Sequence, residues 1–445
     1  MATPSRIIDR FALSALFIFL MLASGSGMGI VAPTGTGVAA GGLVANLGRV
    51  VQLSIFLFFF LWCLKRFPAA FGLLAREHWI AVLGIWIVAS AAWSVAPGQT
   101  VRYAVPFFGA VLVGLYMAMR VEPLRQIRLL ALCLGISAIL SLVFGIAFPR
   151  IAILPDGEWQ GVFLHKNALG YMMSLGFLCF LFLTICERRR RWLSIVMAII
   201  CLVLVIFSKS AGALAVTALM LVMIAPLRMV INMPHRKFVA VMTALLSAGA
   251  VVGIAILRHP APIFELLGKD ATLTGRMQLW HYVKLEILAR PVLGFGYSAF
   301  WGTGEADRIR ALVGWNPPTA HNGFLDAALG LGMIGLAILL ISLLRNFILG
   351  FKVARREGDF AAIWPLFFMI FAVLDNLTES SITGANACCK PPLQVGASTL
   401  LLVLYIANSY WLVRAARQPE MVEEPASEFE NAPDADPFVF KPAES

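Results

Sequence analysis

Ala168-Leu-Gly-Tyr-Met-Met-Ser-Leu-Gly-Phe-Leu-Cys-Phe-Leu-Phe-Leu-Thr-Ile-Cys186 carries no charge, and it runs straight into Glu187 and then Arg188-Arg-Arg-Arg191. A bilayer span needs about 20 mostly apolar residues, so this run is long enough to cross. The arginine block marks its end as a cytoplasmic one, because short cytoplasmic loops collect Lys and Arg. The pattern repeats along the chain. Of 445 residues, 60% are apolar and 13% charged, with a mean hydropathy of +0.85. Soluble domains are roughly half apolar and about a quarter charged. The composition excludes a soluble enzyme, a disordered chain and a small disulfide scaffold. A polytopic membrane protein remains.

Candidate spans lie near residues 11–31, 44–64, 79–96, 103–119, 129–148, 168–186, 192–207, 211–227, 239–257, 323–344, 361–374 and 395–413. Lipid cannot satisfy a bare backbone, so each span is expected as an α-helix. The expected fold is all-α and polytopic, with about 12 transmembrane helices and one long periplasmic loop before the tenth. The first span reads as uncleaved, because many spans follow it. Residues 1–257 then hold helices 1 to 9, 258–322 the long loop, and 323–413 the last three helices. Residues 414–445 read as a disordered cytoplasmic tail, which from 418 onward holds eight acidic residues and one Lys. With the N-terminus inside, 21 Lys and Arg fall in cytoplasmic segments against 5 in the short outside ones. Both termini are therefore expected in the cytoplasm. The net charge of +11 is no nucleic-acid signal, since the basic residues punctuate apolar runs. Cys63, Cys133, Cys179, Cys186 and Cys201 lie in or beside such runs, Cys388 and Cys389 are adjacent, and no disulfide framework or zinc spacing emerges.

The long loop holds Trp280, Tyr282, Phe295, Tyr297, Phe300, Trp301 and Trp315, too many aromatics for a solvated linker. Its stretch from Gly275 to Arg290 suits an interfacial helix. Polar residues collect on the same face. Arg102, Lys166, Lys209 and Arg276 come from four outside segments. Brought together they would make an anion site, and Arg suits phosphate because its planar fork donates two parallel hydrogen bonds. The plainer alternative is that each cation snorkels to the headgroups. Arg276 stands out, with Gly275 before it and Trp280 one turn on. His321 is the sharpest candidate, since an imidazole titrates near neutral pH and can accept a proton there; a lone His at a helix start is nonetheless often structural. Asn322 and Asp326 are one turn apart and share a face. Asp326 near a bilayer boundary is costly unless paired. Asp375, Asn376, Glu379 and Ser380 lie between the last two spans. Asp434-Ala435-Asp436 imitates a metal motif but sits in the acidic tail. Asn376-Leu-Thr378 is a formal glycosylation triplet of no consequence in most bacteria.

Six stretches occur in a characteristic order: Gly161-Val-Phe-Leu-His-Lys-Asn-Ala-Leu-Gly170, Ser208-Lys-Ser-Ala-Gly212, Gly275-Arg-Met-Gln-Leu-Trp280, Pro291-Val-Leu-Gly-Phe-Gly296, His321-Asn-Gly-Phe-Leu325 and Glu379-Ser380. In this the sequence resembles the O-antigen ligase and Wzy-type polysaccharide polymerase superfamily, most of all its ExoQ-type exopolysaccharide production proteins. The resemblance implies a glycosyltransferase of the bacterial inner membrane that needs no metal or cofactor. Its donor would be a glycan on undecaprenyl diphosphate, its acceptor a sugar hydroxyl at the periplasmic face, and its candidate partners a flippase and a chain-length regulator. It implies His321 as general base and Arg276, with Lys166, Lys209 or Arg102, on the diphosphate. His165, Asn167, Trp280, Asn322, Asp326 and Glu379 would support them. A family Arg often precedes the Gly-x-Phe stretch; Trp159 and Gln160 stand there instead, which leaves Lys166 as its candidate replacement. The alternatives are a ligase joining the glycan to lipid A core, a small-anion (bicarbonate-type) transporter, and a non-catalytic scaffold subunit.

Overall fold

The computed structural model describes residues 4–27, 42–234, 236–237, 275–382 and 397–417. In chain order its helices are α1 (Pro4–Ala23), α2 (Gly42–Lys65), α3 (Phe67–Arg76), α4 (His78–Ala89), α5 (Pro97–Arg120), α6 (Pro123–Ala147), α7 (Lys166–Cys186), α8 (Arg191–Phe207), α9 (Ala211–Asn232), α10 (Arg276–Ala289), α11 (Gly304–Val313), α12 (Gly323–Glu357), α13 (Trp364–Asn376) and α14 (Ala397–Ala415). Five of them (α1, α3, α5, α6 and α13) place Pro in the first turn, where a missing N–H costs nothing. Among the described residues the only extended pairing is an isolated bridge between Ile153 and Trp159. The protein is an all-helical, multi-pass membrane protein.

Seven helices of the described chain are long and apolar enough to cross a bilayer: α2, α5, α6, α7, α9, α12 and α14. An eighth crossing is available if α3 and α4, bent by 89° at their junction, act together. Three shorter apolar helices, α1, α8 and α13, fall where further spans were expected. The expected ninth span, 239–257, lies outside the described residues, as do the first part of the long loop and the tail from 418. Three expectations need revision. The first helix stops at Ala23 rather than near 31, because Ser24-Gly-Ser-Gly27 turns, with Gly25 and Gly27 at positive φ. The third expected span is shorter, ending at Ala89, with α3 angled across its start. The tenth runs on to Glu357 and is broken at Gly332.

Small residues let the helices close up, as membrane packing favours. A Cβ at Gly114 would stand 2.5 Å from Ile406 Cγ2, so α5 and α14 touch there. The break in α12 explains the Pro291–Gly296 motif. At Gly332 (φ 69°) the helix opens, and the motif's backbone docks into the gap. Phe295 N donates to Leu329 O at 2.9 Å, Gly296 N to Gly330 O at 2.9 Å, and Met333 N to Pro291 O at 2.8 Å. Trp86 Nε1 donates to Leu331 O at 3.0 Å, and Trp93 Nε1 to Leu293 O at 2.9 Å. The carbonyls freed by the break are thus satisfied by protein, as irregular backbone at membrane depth requires. A Cβ on Gly332 would stand 2.0 Å from Val292 O, and one on Gly294 2.6 Å from Gly332 N, so neither position accepts a side chain. The break holds the short first segment of α12, Gly323–Leu331, against the loop residues that precede it.

Candidate active site

The backbone around His321 is tied down before any side chain acts. Asn322 caps α12: its Oδ1 accepts from Phe324 N and Leu325 N, both at 3.1 Å. This is the usual service of an Asn at a helix start. Its Nδ2 donates to Leu377 O at 3.2 Å, and Gly323 N donates to Glu379 O at 3.1 Å. Gly323 has no room for a Cβ, since Asn376 Oδ1 would lie 2.0 Å away. That Oδ1 accepts from Ser381 N and Ile382 N, each at 3.0 Å. The turn after α13 is therefore sewn to the start of α12. His321 sits between them at φ 48°, a left-handed conformation that costs a non-glycine about 1–3 kcal/mol and persists only where the surroundings enforce it.

Asp326 is part of that enforcement. It is half-buried, and it accepts from Trp301 Nε1 at 2.7 Å, from Ala320 N at 3.1 Å and from the Ser380 hydroxyl. Trp280 Nε1 donates to Ala320 O at 2.8 Å from the other side. The expectation that Asn322 and Asp326 share a helix face resolves into two holding roles, one capping the helix and one anchoring the residue before His321.

Glu379 is the hub of the side chains. Its Oε2 is 3.0 Å from His321 Nδ1, and its Oε1 accepts from Arg276 Nη2 at 3.0 Å and Asn167 Nδ2 at 2.9 Å. Arg276 Nη1 also donates to Thr378 O at 2.6 Å. Three segments far apart in sequence meet on one carboxylate. Burial pushes Glu379 up, but hydrogen bonding and charge from His321, then from Arg276, outweigh it and hold the carboxyl below its ordinary range. With Nδ1 facing a carboxylate, the neutral His321 ring carries its proton there, and Nε2 keeps a lone pair. His165 lies close enough to feel Glu379 and Lys166; burial holds it below the ordinary imidazole value, against the opposing pull of Glu379. Its Nδ1 accepts from Asn167 N at 3.2 Å and caps α7, so its proton is on Nε2.

The other expected cations sit farther out. Lys166 pairs with Glu158, and Lys209, itself at φ 48°, donates from Nζ to Asp156 O at 3.3 Å. Both lie against the Leu154–Glu158 turn. Arg102 is exposed near the start of α5, and no contact among the described residues joins it to the cluster. Several participants escaped the sequence reading. Trp315 faces His321 with ring centroids 5.6 Å apart. Thr378 offers its carbonyl to Arg276 and its hydroxyl to Tyr171 at 2.5 Å. Glu158 and Thr378 gave no signal; Trp315 was visible only as one aromatic in a loop too rich in them. Among the described residues no group of three or more His, Cys, Asp or Glu side chains could hold a metal ion.

Residues 161–340 match the O-antigen ligase family model. The matched region takes in Asn167, Arg276 and His321 and stops before Glu379. The chain is also 28% identical over 325 residues to the exopolysaccharide production protein ExoQ of Rhizobium meliloti (strain 1021), covering 68% of this chain and 72% of that protein. The resemblance read from the ordered motifs is borne out on both counts.

Proposed function

We propose that the protein is a membrane glycosyltransferase that moves a glycan from a polyprenyl diphosphate carrier to an acceptor sugar, polymerising exopolysaccharide or O-antigen repeat units. The observation that carries the reading is that His321 and Arg276, both inside the region that matches the O-antigen ligase family model, meet on Glu379 beyond its end. An acceptor hydroxyl attacks the anomeric carbon of the donor sugar. His321 Nε2 takes the hydroxyl proton, and Glu379 steadies the imidazolium through Nδ1–H. The bond from the anomeric carbon to the diphosphate oxygen breaks, and the diphosphate leaves with its electron pair. Arg276, with N–H groups left over from Thr378 and Glu379, offsets the charge that grows there; one such preorganised donor is worth about 3–4 kcal/mol. Lys166 joins it on exchanging Glu158 for phosphate. Lys209 and Arg102 act through their field.

The Lys and Arg asymmetry supports an inner-membrane protein with both termini cytoplasmic and this site periplasmic, where a flippase delivers the carrier and a chain-length regulator acts. The likeness to ExoQ favours the polymerase; the family model's description favours a ligase acting on lipid A core as the second reading. Cells lacking the gene and supplied with His321→Ala or Arg276→Ala should insert normal amounts of protein and make no long polymer. Wild-type polymer from either variant would remove the assignment. Loss of exopolysaccharide with capped lipopolysaccharide intact fits the polymerase, and the reverse pattern fits the ligase.

A further inference from the structure

His321 and His165 present opposite nitrogens around one carboxylate. His321 turns Nδ1 to Glu379 Oε2 at 3.0 Å, so its Nε2 offers a lone pair. His165 is reversed. Its Nδ1 accepts from Asn167 N at 3.2 Å, so that nitrogen carries no proton and Nε2 carries one. An imidazolium has no lone pair and could not accept this bond, so the ring is neutral while it caps α7. The shielding that holds the imidazole below its ordinary value acts in the same direction. With Nδ1 turned to the helix start, the Nε2–H edge faces away from it. The residue is exposed, and among the described residues this N–H meets no acceptor. The bare role of a cap leaves the donor unused.

Its surroundings give that donor a use. Asn167 Nδ2 donates at 2.9 Å to Glu379 Oε1, the same oxygen that holds Arg276 Nη2 at 3.0 Å. Lys166, the next residue, pairs with Glu158. The charges of Glu379, Lys166 and Glu158 all reach the His165 ring. His165 thus stands between two cations, each held by a carboxylate, and an anion that spans Arg276 and Lys166 passes the imidazole. Glycosyl transfer needs two complementary groups. One takes the proton of the attacking hydroxyl, and the other donates to the oxygen on which charge grows as its bond to the anomeric carbon breaks. Two imidazoles locked in opposite tautomers supply both, and environments that push paired groups apart are how acid and base roles are divided. We propose that His165 donates a hydrogen bond from Nε2 to the diphosphate oxygen that leaves the donor sugar. The electron pair of the broken bond stays on that oxygen, the hydroxyl proton goes to His321 Nε2, and His165 keeps its own proton. This role rests on the transfer reading of the site and adds the group that meets the leaving oxygen.

Two substitutions separate the two nitrogens. His165→Asn sets an amide oxygen where Nδ1 was, which keeps the cap and deletes the Nε2–H. His165→Gln carries an amide N–H out to the Nε2 position and gives up the cap. The full chain, purified into lipid nanodiscs, is assayed for transfer from a fluorescent lipid-diphosphate donor and for binding of free undecaprenyl diphosphate, the leaving product. His165→Asn should keep the wild-type Tm and acceptor KM, yet transfer about 10- to 100-fold more slowly, the worth of a hydrogen bond to a charged group. It should also bind undecaprenyl diphosphate several-fold more weakly. His165→Gln should melt lower and recover most of the rate and the product affinity. A wild-type rate in His165→Asn would overturn the proposal. So would undiminished product binding by that variant, or a glutamine variant no faster than the asparagine one, since lost packing would then explain the effect. His321→Ala and Arg276→Ala, run alongside, keep the two failures apart: if both are inactive while His165→Asn is not, only the leaving-oxygen role falls, and if both transfer normally, the transfer reading falls with it.

Discussion

Glu379→Gln separates the charge of the hub from its shape. In the wild type, Glu379 touches His321 Nδ1 and Arg276 Nη2, each at 3.0 Å. The amide keeps the volume and one acceptor but not the negative charge that steadies an imidazolium. The side chains of His321 and Glu379 are 16% and 20% exposed, so the effective dielectric lies between that of a protein surface and that of water. Charge centres about 4 Å apart then interact by about 1 to about 4 kcal/mol. Taken off the transition state, this is about a fivefold to about a thousandfold fall in kcat. Arg276 is released at the same time, so KM for the donor should stay level or fall. The assay is polymer formation from a lipid-linked repeat by purified enzyme in lipid nanodiscs, with folded protein measured by thermal unfolding. A fall in kcat without a rise in KM is the expected pattern. Wild-type kcat, or a loss that only tracks the amount of folded protein, would refute the role.

Arg276→Lys keeps the charge and loses the planar fork, so kcat/KM should fall about 10- to 100-fold, the worth of about 1.5–3 kcal/mol for a hydrogen bond to a charged group. Gly323→Ala forces a Cβ to within 2.0 Å of Asn376 Oδ1; it should destabilise the protein by about 1–3 kcal/mol, seen as a lower Tm in detergent. Gly332→Ala meets both a positive φ and the Val292 carbonyl, so it should be worse still, with activity lost through misplacement of the His321 segment. His165→Ala removes the cap on α7 at a cost of about 1 kcal/mol, whereas His165→Asn should keep it. The pH dependence follows from the depressed carboxyl of Glu379. Its contribution is complete above the ordinary Glu value of about 4.3 and is lost as pH falls through the lower folded value, so the Tm gap between wild type and Glu379→Gln should close only in strong acid.

Periodicity and charge made the membrane helices legible, because an uncharged run followed by arginines admits few other readings. The breaks were not legible. Gly332 sits in an apolar run with Gly330 and Gly335 beside it, which weakens the helix without fixing where it opens; the break is set by the Pro291–Gly296 backbone, which docks there from outside the helix. The sharp bend before α4 was equally hidden, although buried Glu77 at the junction, paired with Arg345, is a polar residue an unbroken span would not carry. Within the site, His321, Arg276 and Asn167 stood out by motif, and Glu379 was named among the supports. Its place at the centre could not be read, because a carboxylate becomes a hub only through tertiary contacts. The same holds for the lysines: a sequence shows that Lys166 and Lys209 flank apolar runs, but not that Glu158 and the Asp156 carbonyl already occupy them.

Transfer of a single repeat by purified protein in proteoliposomes, followed with a fluorescent lipid-diphosphate donor, separates proton abstraction from binding. His321→Asn should bind the donor as the wild type does and transfer it about 10²- to 10⁴-fold more slowly, the usual worth of a general base. Transfer by His321→Asn at the wild-type rate would show that the imidazole does not carry the reaction.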